Sequence, residues 1–271
     1  MERKFGWIRD SWDERDFKYS PKFRLLNLKR TVDLRSLLFP PIYDQLSTSS
    51  CTSNAWIAVV EYVRNLDKKR YVELSRLFHY WCERLKEGTA TIDGGAMIRT
   101  GIKVLVKQGV CPESMFEFSP ENLFKVPPSH CFEIAALFQS LQYQKIRQGE
   151  YDLKSSIAEG YPIVFGAKIY DSFMSEHTAK TGIVSMPKSG ERCIGGHAIV
   201  KVGYTIDGIA AVHSKGTALL LSEEEKAINK WWIVRNSWSS KWGDNGHCYI
   251  PFDYTMNYAL ASDFWKVTKS E

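Results

Sequence analysis

From Cys51 onward the apolar residues Ala55, Trp56, Val59, Val60 and Val63 recur three and four positions apart, which draws a single stripe along a helix reaching about Asn65. The preceding stretch, 43–50, is a polar loop of small residues, so Cys51 falls at the helix N-terminus. A second stripe, Leu77, Phe78, Trp81 and Leu85, is opened by Ser75 and stopped by Gly88; a third, Ile98, Ile102, Leu105 and Val106, is stopped by Gly109. One more short helix fits 131–138, after Pro127-Pro128. The pattern then changes to runs rich in Val, Ile and aromatics at 162–169, 198–204, 231–234, 248–252 and 263–267, which predict strands. The periodicity therefore predicts an α+β chain, helical in its first half and sheet-rich in its second.

Two regions lie outside this scheme. Residues 1 to about 40 have no helical period, crowd Asp10, Asp13, Arg15 and Asp16 together, and read as an extended N-terminal arm. Residues 205–230 read as a surface excursion carrying Ser222-Glu-Glu-Glu225, which has capping-box spacing.

At 271 residues, 44% apolar and 13% aromatic, the chain can bury one large core or two closely packed halves. The surplus of five positive charges is spread over short, separate clusters such as Lys29-Arg30 and Lys68-Lys69-Arg70, which argues against a nucleic-acid partner. No apolar run approaches a membrane span, and the first ten residues lack a signal-peptide core, so no membrane partner and a cytoplasmic location, or one inside a particle or compartment reached without a signal, are expected. Six cysteines, at 51, 82, 111, 131, 193 and 248, form no CxxC pair, and only His79 and Cys82 stand at ligand-like spacing; neither a metal nor any other cofactor is expected.

A thiol at a helix N-terminus is a candidate nucleophile, because the helix dipole favours the thiolate. The base it needs is sought among six histidines. His79 lies in an aromatic-rich helix and reads as a core residue; His130, His177, His213 and His247 read as surface residues. His197 differs: Gly195-Gly196 delivers it into the strand 198–204, which fixes its ring in place. Asn236, at the end of an apolar strand, can orient that imidazole, and Trp238 can cover the pair. Gln45, six residues before Cys51, offers a side-chain amide that, with the Cys51 backbone N–H, could hold an oxyanion.

With these pieces in order, the chain resembles the papain-like cysteine peptidases of the papain and cathepsin type, in a bacterial or viral branch. The resemblance runs from about Val32 to Val267 through Gln45 to Cys51, Asp93-Gly94-Gly95, Gly196-His197-Ala198, Asn236-Ser237-Trp238 and Trp242-Gly243-Asp244-Asn245-Gly246. It implies a two-lobed fold, with a helical lobe at about 45–140, an antiparallel β-barrel-like lobe at about 141–271, and the site in the cleft between them. Residues 1–35 would be the arm, a short propeptide or cleft-covering extension, and 36–271 the peptidase domain. By the same resemblance Cys51, His197 and Asn236 form a triad working through an acyl-enzyme, with Cys51 and His197 as an ion pair. Gln45 and Cys51 line the oxyanion hole, and Gly94, Gly95, Met97, Gly195 and Gly196, with residues near 260–263, bind an extended peptide or protein substrate.

Ser49, Thr52 and Ser239 depart from the family pattern, and Ser49 replaces a glycine whose loss could strain the cysteine loop. Thr48 and Ile92 stand where relatives form a disulfide. A monomer is expected. The alternatives are a catalytically impaired scaffold or binding protein of the same fold, or a thiol transamidase or isopeptidase.

Overall fold

A computed structural model describes residues 3–21, 28–35, 38–219 and 221–270. Of the arm, residues 1, 2 and 22–27 lie outside the described set. In chain order the elements are β1 (Trp7–Ile8), β2 (Thr31–Asp33), α1 (Cys51–Leu66), α2 (Arg76–Glu87), β3 (Ala96–Met97), α3 (Ile98–Lys107), α4 (Ser129–Ala135), β4 (Ser140–Lys145), α5 (Glu150–Ala158), β5 (Ile163–Tyr170), α6 (Glu176–Thr181), β6 (Cys193–Thr205), α7 (Glu223–Ala227), β7 (Trp231–Arg235), β8 (His247–Pro251), α8 (Phe252–Met256) and β9 (Ala261–Ser270).

The predicted helices form where the stripes place them. Ser75 accepts a hydrogen bond from the Phe78 amide at the start of α2, and Gly88 closes that helix at φ 74°, a left-handed cap that costs glycine least. The Ser222 capping box of α7 is complete. α1 is buried on every side from Cys51 to Arg64, because α2 and α3 cover one flank and β6 and β9 the other. Its polar first turn is therefore satisfied from within: Thr52 donates to Glu83 (2.8 Å), Ser53 to the Arg76 carbonyl (2.6 Å) and Asn54 to the Ser50 carbonyl (2.9 Å).

The sheet runs β4-β9-β5-β6-β7-β8, with β2 also paired to β6, and every pairing is antiparallel. Its two ends, β4 and β8, are not joined, so the sheet is open where the sequence suggested a barrel-like lobe. β6 is the organising strand. Its first half pairs with β5, setting His197 opposite Ala167, and its second half pairs with β7, setting Val200 opposite Arg235 just before Asn236.

Three departures from the sequence reading concern short or weakly patterned segments. β4, α5 and α6 were not expected, since their burial comes from neighbours and not from a strong period of their own. His213 is buried, not exposed, its ring packed on Tyr249 and its Nε2 on the Thr181 carbonyl, so the 205–230 excursion is anchored. In the two segments where a family glycine is replaced, left-handed backbone falls on Leu46 of the cysteine loop (φ 55°) and on Ser239 (φ 67°), and not on Ser49, which stays outside that region.

Candidate active site

The loop before α1 and the ends of β6 and β7 bring the predicted residues together. The Ala198 amide donates to the Cys51 sulfur at 3.4 Å, which fixes the thiol beside the first residues of the β6 core. His197 Nε2 donates to Asn236 Oδ1 at 2.8 Å, and the Ser237 amide donates to the same oxygen at 2.8 Å. A backbone N–H can only donate, so the Asn236 amide is oriented with its oxygen toward both groups. His197 Nε2 therefore carries the hydrogen, and Nδ1 keeps its lone pair. Nδ1 is buried with no hydrogen-bond partner among the described residues. Trp238 stacks over the imidazole at 5.0 Å and 23° and excludes water from the pair.

Gln45 is held at both ends of its amide. Its Oε1 accepts from the Ser237 hydroxyl at 2.7 Å, and its Nε2 donates to the Thr48 carbonyl at 2.9 Å. Ser237 was legible only as part of a motif; its grip on Gln45 needs the fold to be seen. Ser49 has a role of its own: its amide and hydroxyl bond Asp93 at 2.9 and 3.0 Å. These bonds tie the cysteine loop to the Gly94-Gly95 loop beside Thr48 and Ile92, where a disulfide was expected to be missing. The described cysteines are all free.

The cleft is filled by the chain's own arm. Lys4 O accepts from Gln45 Nε2 at 3.2 Å, so a carbonyl already occupies the amide donor next to Cys51. The Gly6 amide hydrogen-bonds the Cys51 sulfur, its carbonyl accepts from the Ala96 amide at 2.8 Å, and β1 runs parallel to β3 with Trp7 opposite Ala96 and Ile8 opposite Met97. Phe5 packs edge-on to His197 and Trp238 at 6.2 Å and lies over Gly195; Trp7 lies over Gly196. Gly95 presents its backbone to Gly6, where a side chain would collide, but its own N–H donates to the Tyr80 hydroxyl and Gly94 faces Ile92. The edge that pairs is thus Ala96-Met97, one step beyond the glycines read from the sequence.

Further along, the crowded acids of the arm find cations. Arg99 donates two bonds to Asp16 (2.6 and 2.8 Å), Lys145 a third (3.0 Å), and the Arg99 amide and Trp265 Nε1 bond the two oxygens of Asp10 (3.0 and 2.9 Å). Arg3 clamps the other end on Asp44 and the Trp238 carbonyl.

Under this cover Cys51 and His197 are both fully buried. Burial pushes the thiol up to about 11 against hydrogen bonds from Ala198 and Gly6 that lower it, and burial pulls the imidazole down to about 4. Burial under the arm thus favours the uncharged form of each group, against the ion pair expected from the sequence.

Known proteins resemble this chain in sequence and in fold. The model for "Papain family cysteine protease" matches residues 28–265. An uncharacterised peptidase C1-like protein of Acanthamoeba polyphaga mimivirus is 35% identical over 98% of this chain and 86% of its own length. Cysteine proteinase 2 of Dictyostelium discoideum is 25% identical over 82% of this chain and 62% of its own. The crystal structure of xylellain, a cysteine protease from Xylella fastidiosa, superposes with a TM-score of 0.84 at 32% identity, covering 99% of this chain and 98% of that one. A family match over most of the chain, two relatives above 30% identity and a shared fold lead to one assignment: this chain belongs to the papain family of cysteine proteases.

Proposed function

We propose that this cysteine-type peptidase cleaves peptide bonds through Cys51, His197 and Asn236, and that residues 3–10 of the arm hold it shut until they are displaced. The observation that carries the reading is the bond from His197 Nε2 to an Asn236 oxygen whose orientation the Ser237 amide dictates, which leaves Nδ1 free as a base one residue before the Ala198 amide that touches the sulfur. With the arm withdrawn, water and substrate reach the pair, the desolvation that now favours the neutral forms is relieved, and the thiol proton can pass to Nδ1.

The thiolate then attacks the substrate carbonyl carbon, and its oxygen takes up negative charge where Lys4 O now meets Gln45 Nε2, with the Cys51 amide at the helix start as second donor. His197 gives its Nδ1 proton to the leaving amine as the C–N bond breaks, and a thioester to Cys51 remains. Water adds to that thioester while Nδ1 takes its proton, and the C–S bond breaks to release the acid and restore the thiol. Asn236 keeps the ring in one tautomer throughout, and Ser237 positions Gln45 and Asn236 together.

Epoxide labelling of a Gly6→Ala variant, in which the arm should no longer seat, tests the reading: the rate at Cys51 should exceed that at exposed Cys193 and should fall near neutral pH when His197→Ala is added. Labelling spread evenly over the six cysteines would overturn it.

A further inference from the structure

The arm acts as a cast of the cleft, and its tryptophan outlines a slot. Trp7 lies flat on bare backbone: a Cβ on Gly166 would overlap the indole outright, and one on Gly196 would fall 2.7 Å from its Cε3. Across the indole edge, Trp7 Nε1 donates to Asp263 Oδ2 at 3.1 Å, and the Asp10 amide donates to the same oxygen at 2.9 Å. Asp263 is only 7% exposed. It also breaks the regularity of β9: its φ is 60°, and the β5 pairing slips there, from Val164 opposite Trp265 to Gly166 opposite Ser262. A bulge of this kind re-aims one side chain, and a left-handed aspartate inside a strand is retained only where its surroundings hold it.

Withdrawal of the arm removes both arm donors from this carboxylate and empties the flat slot above two glycines. What remains is a recessed acceptor at the end of a planar gap; in the closed form Asp263 also borders a cavity of about 750 Å³ shared with Gln148 and Tyr258 and walled in part by arm residues 9–12 and 18–21. Lys145, the nearby cation, is engaged by Asp16 on a part of the arm separately fastened to Arg99. We infer that this slot is a specificity pocket of the open enzyme for a cationic side chain of the peptide substrate, arginine before lysine, and that Asp263 is the residue that selects it.

The planar guanidinium matches both features at once: it stacks in the gap that the indole fills and supplies several N–H donors to one carboxylate. An aliphatic side chain would fill the gap but leave Asp263 unpaired, and an acidic one would meet it with like charge. This inference rests on the peptidase reading above.

The test is a peptide-library digest with the full chain and with its Gly6→Ala variant, in which the arm should no longer seat. Cleaved products should carry Arg, then Lys, at one fixed position relative to the cut. For a matched pair of fluorogenic peptides with Arg or norleucine at that position, Asp263→Asn should lower the Arg-to-norleucine ratio of kcat/KM by roughly 10- to 100-fold. Asparagine tolerates the left-handed backbone and can still accept from Trp7 and Asp10, so the fold should persist, with Cys51 labelling as the check. Cleavage without enrichment of basic residues, or an unchanged ratio in Asp263→Asn, would overturn the inference and leave the peptidase reading standing. A Cys51 that labels while no peptide is cut would overturn both.

Discussion

Replacing Gly6 by alanine should open the enzyme. Gly6 does not adopt a positive φ, so alanine is allowed by its backbone and only contact decides the outcome. Its Cβ would overlap the Ser49 carbonyl oxygen and stand 2.6 Å from the carbonyl carbon. Both are backbone atoms of a loop pinned by Asp93, so no side chain can swing aside. The arm must lift, and lifting breaks the bond from the Ala96 amide to Gly6 O and the bond from Gln45 Nε2 to Lys4 O. Two such bonds are worth about 0.5–1.5 kcal/mol each, and the overlap adds about 1 kcal/mol or more. A combined loss of about 2–3 kcal/mol corresponds to a roughly 30- to 160-fold shift toward the open form. The second-order rate of Cys51 alkylation and kcat/KM on a short peptide should both rise by about that factor. Rates within about twofold of the parent, at equal thermal stability, would refute the idea that the arm at Gly6 limits access.

Arm docking should also depend on pH. Burial, helped by the Asp263 carboxylate, raises Asp10 to about 7 in the docked arm, against 3.8 for a free carboxyl; Arg99 is the cation facing it. The docked form thus binds the extra proton: the contribution is full below about pH 4, weakens by up to about 1.4 kcal/mol per unit, and is lost as pH rises through 7. The ratio of alkylation rates, Gly6→Ala over parent, should accordingly fall with rising pH across that window and flatten in Asp10→Asn; a ratio independent of pH in the parent would contradict this. In the helical lobe, a Cβ at Gly101 would stand 2.5 Å from Trp56 Cδ1 and press on the Glu83 carboxyl, so Gly101→Ala should cost about 1–3 kcal/mol in urea denaturation. A midpoint equal to the parent's would show that α1 and α3 can part freely.

Much of the framework was legible because its signals are local. α2 could be bounded at both ends from Ser75, Gly88 and its apolar spacing, and β6, β7 and β9 stood out as β-branched and aromatic runs. Cys51, His197 and Asn236 were legible as separate residues whose contexts fitted complementary roles; the fold bonds His197 to Asn236 and sets the Cys51 sulfur on the amide of Ala198, the residue after His197. The destination of the arm was not legible. Residues 3–10 have no period, and what specifies their path is shape and charge supplied from far along the chain: the backbone of Ser49, the bare strands at Gly166 and Gly196, and the Arg99 and Asp263 side chains. Backbone strain was sought at Ser49 because that residue replaces a glycine. Ser49 instead keeps an ordinary conformation and uses its hydroxyl to bind Asp93, whereas Ser239, another serine in place of a glycine, takes the left-handed geometry.

The fastening of the arm at Asp16 and Tyr19 has a consequence for how the closed state responds to its surroundings. Asp16 is gripped by Arg99 and Lys145, and the Tyr19 amide donates to the Lys145 carbonyl at 2.8 Å, so the segment in the cleft is tethered by fewer than ten residues. A blocker on so short a leash competes at an effective concentration on the order of millimolar, whatever the dilution of the protein. Short or weakly held peptides would meet a shut enzyme even in excess, whereas a polypeptide able to grip several points of the cleft could outcompete the arm. The tether thereby sets a threshold on substrate affinity that neither dilution nor dialysis would remove.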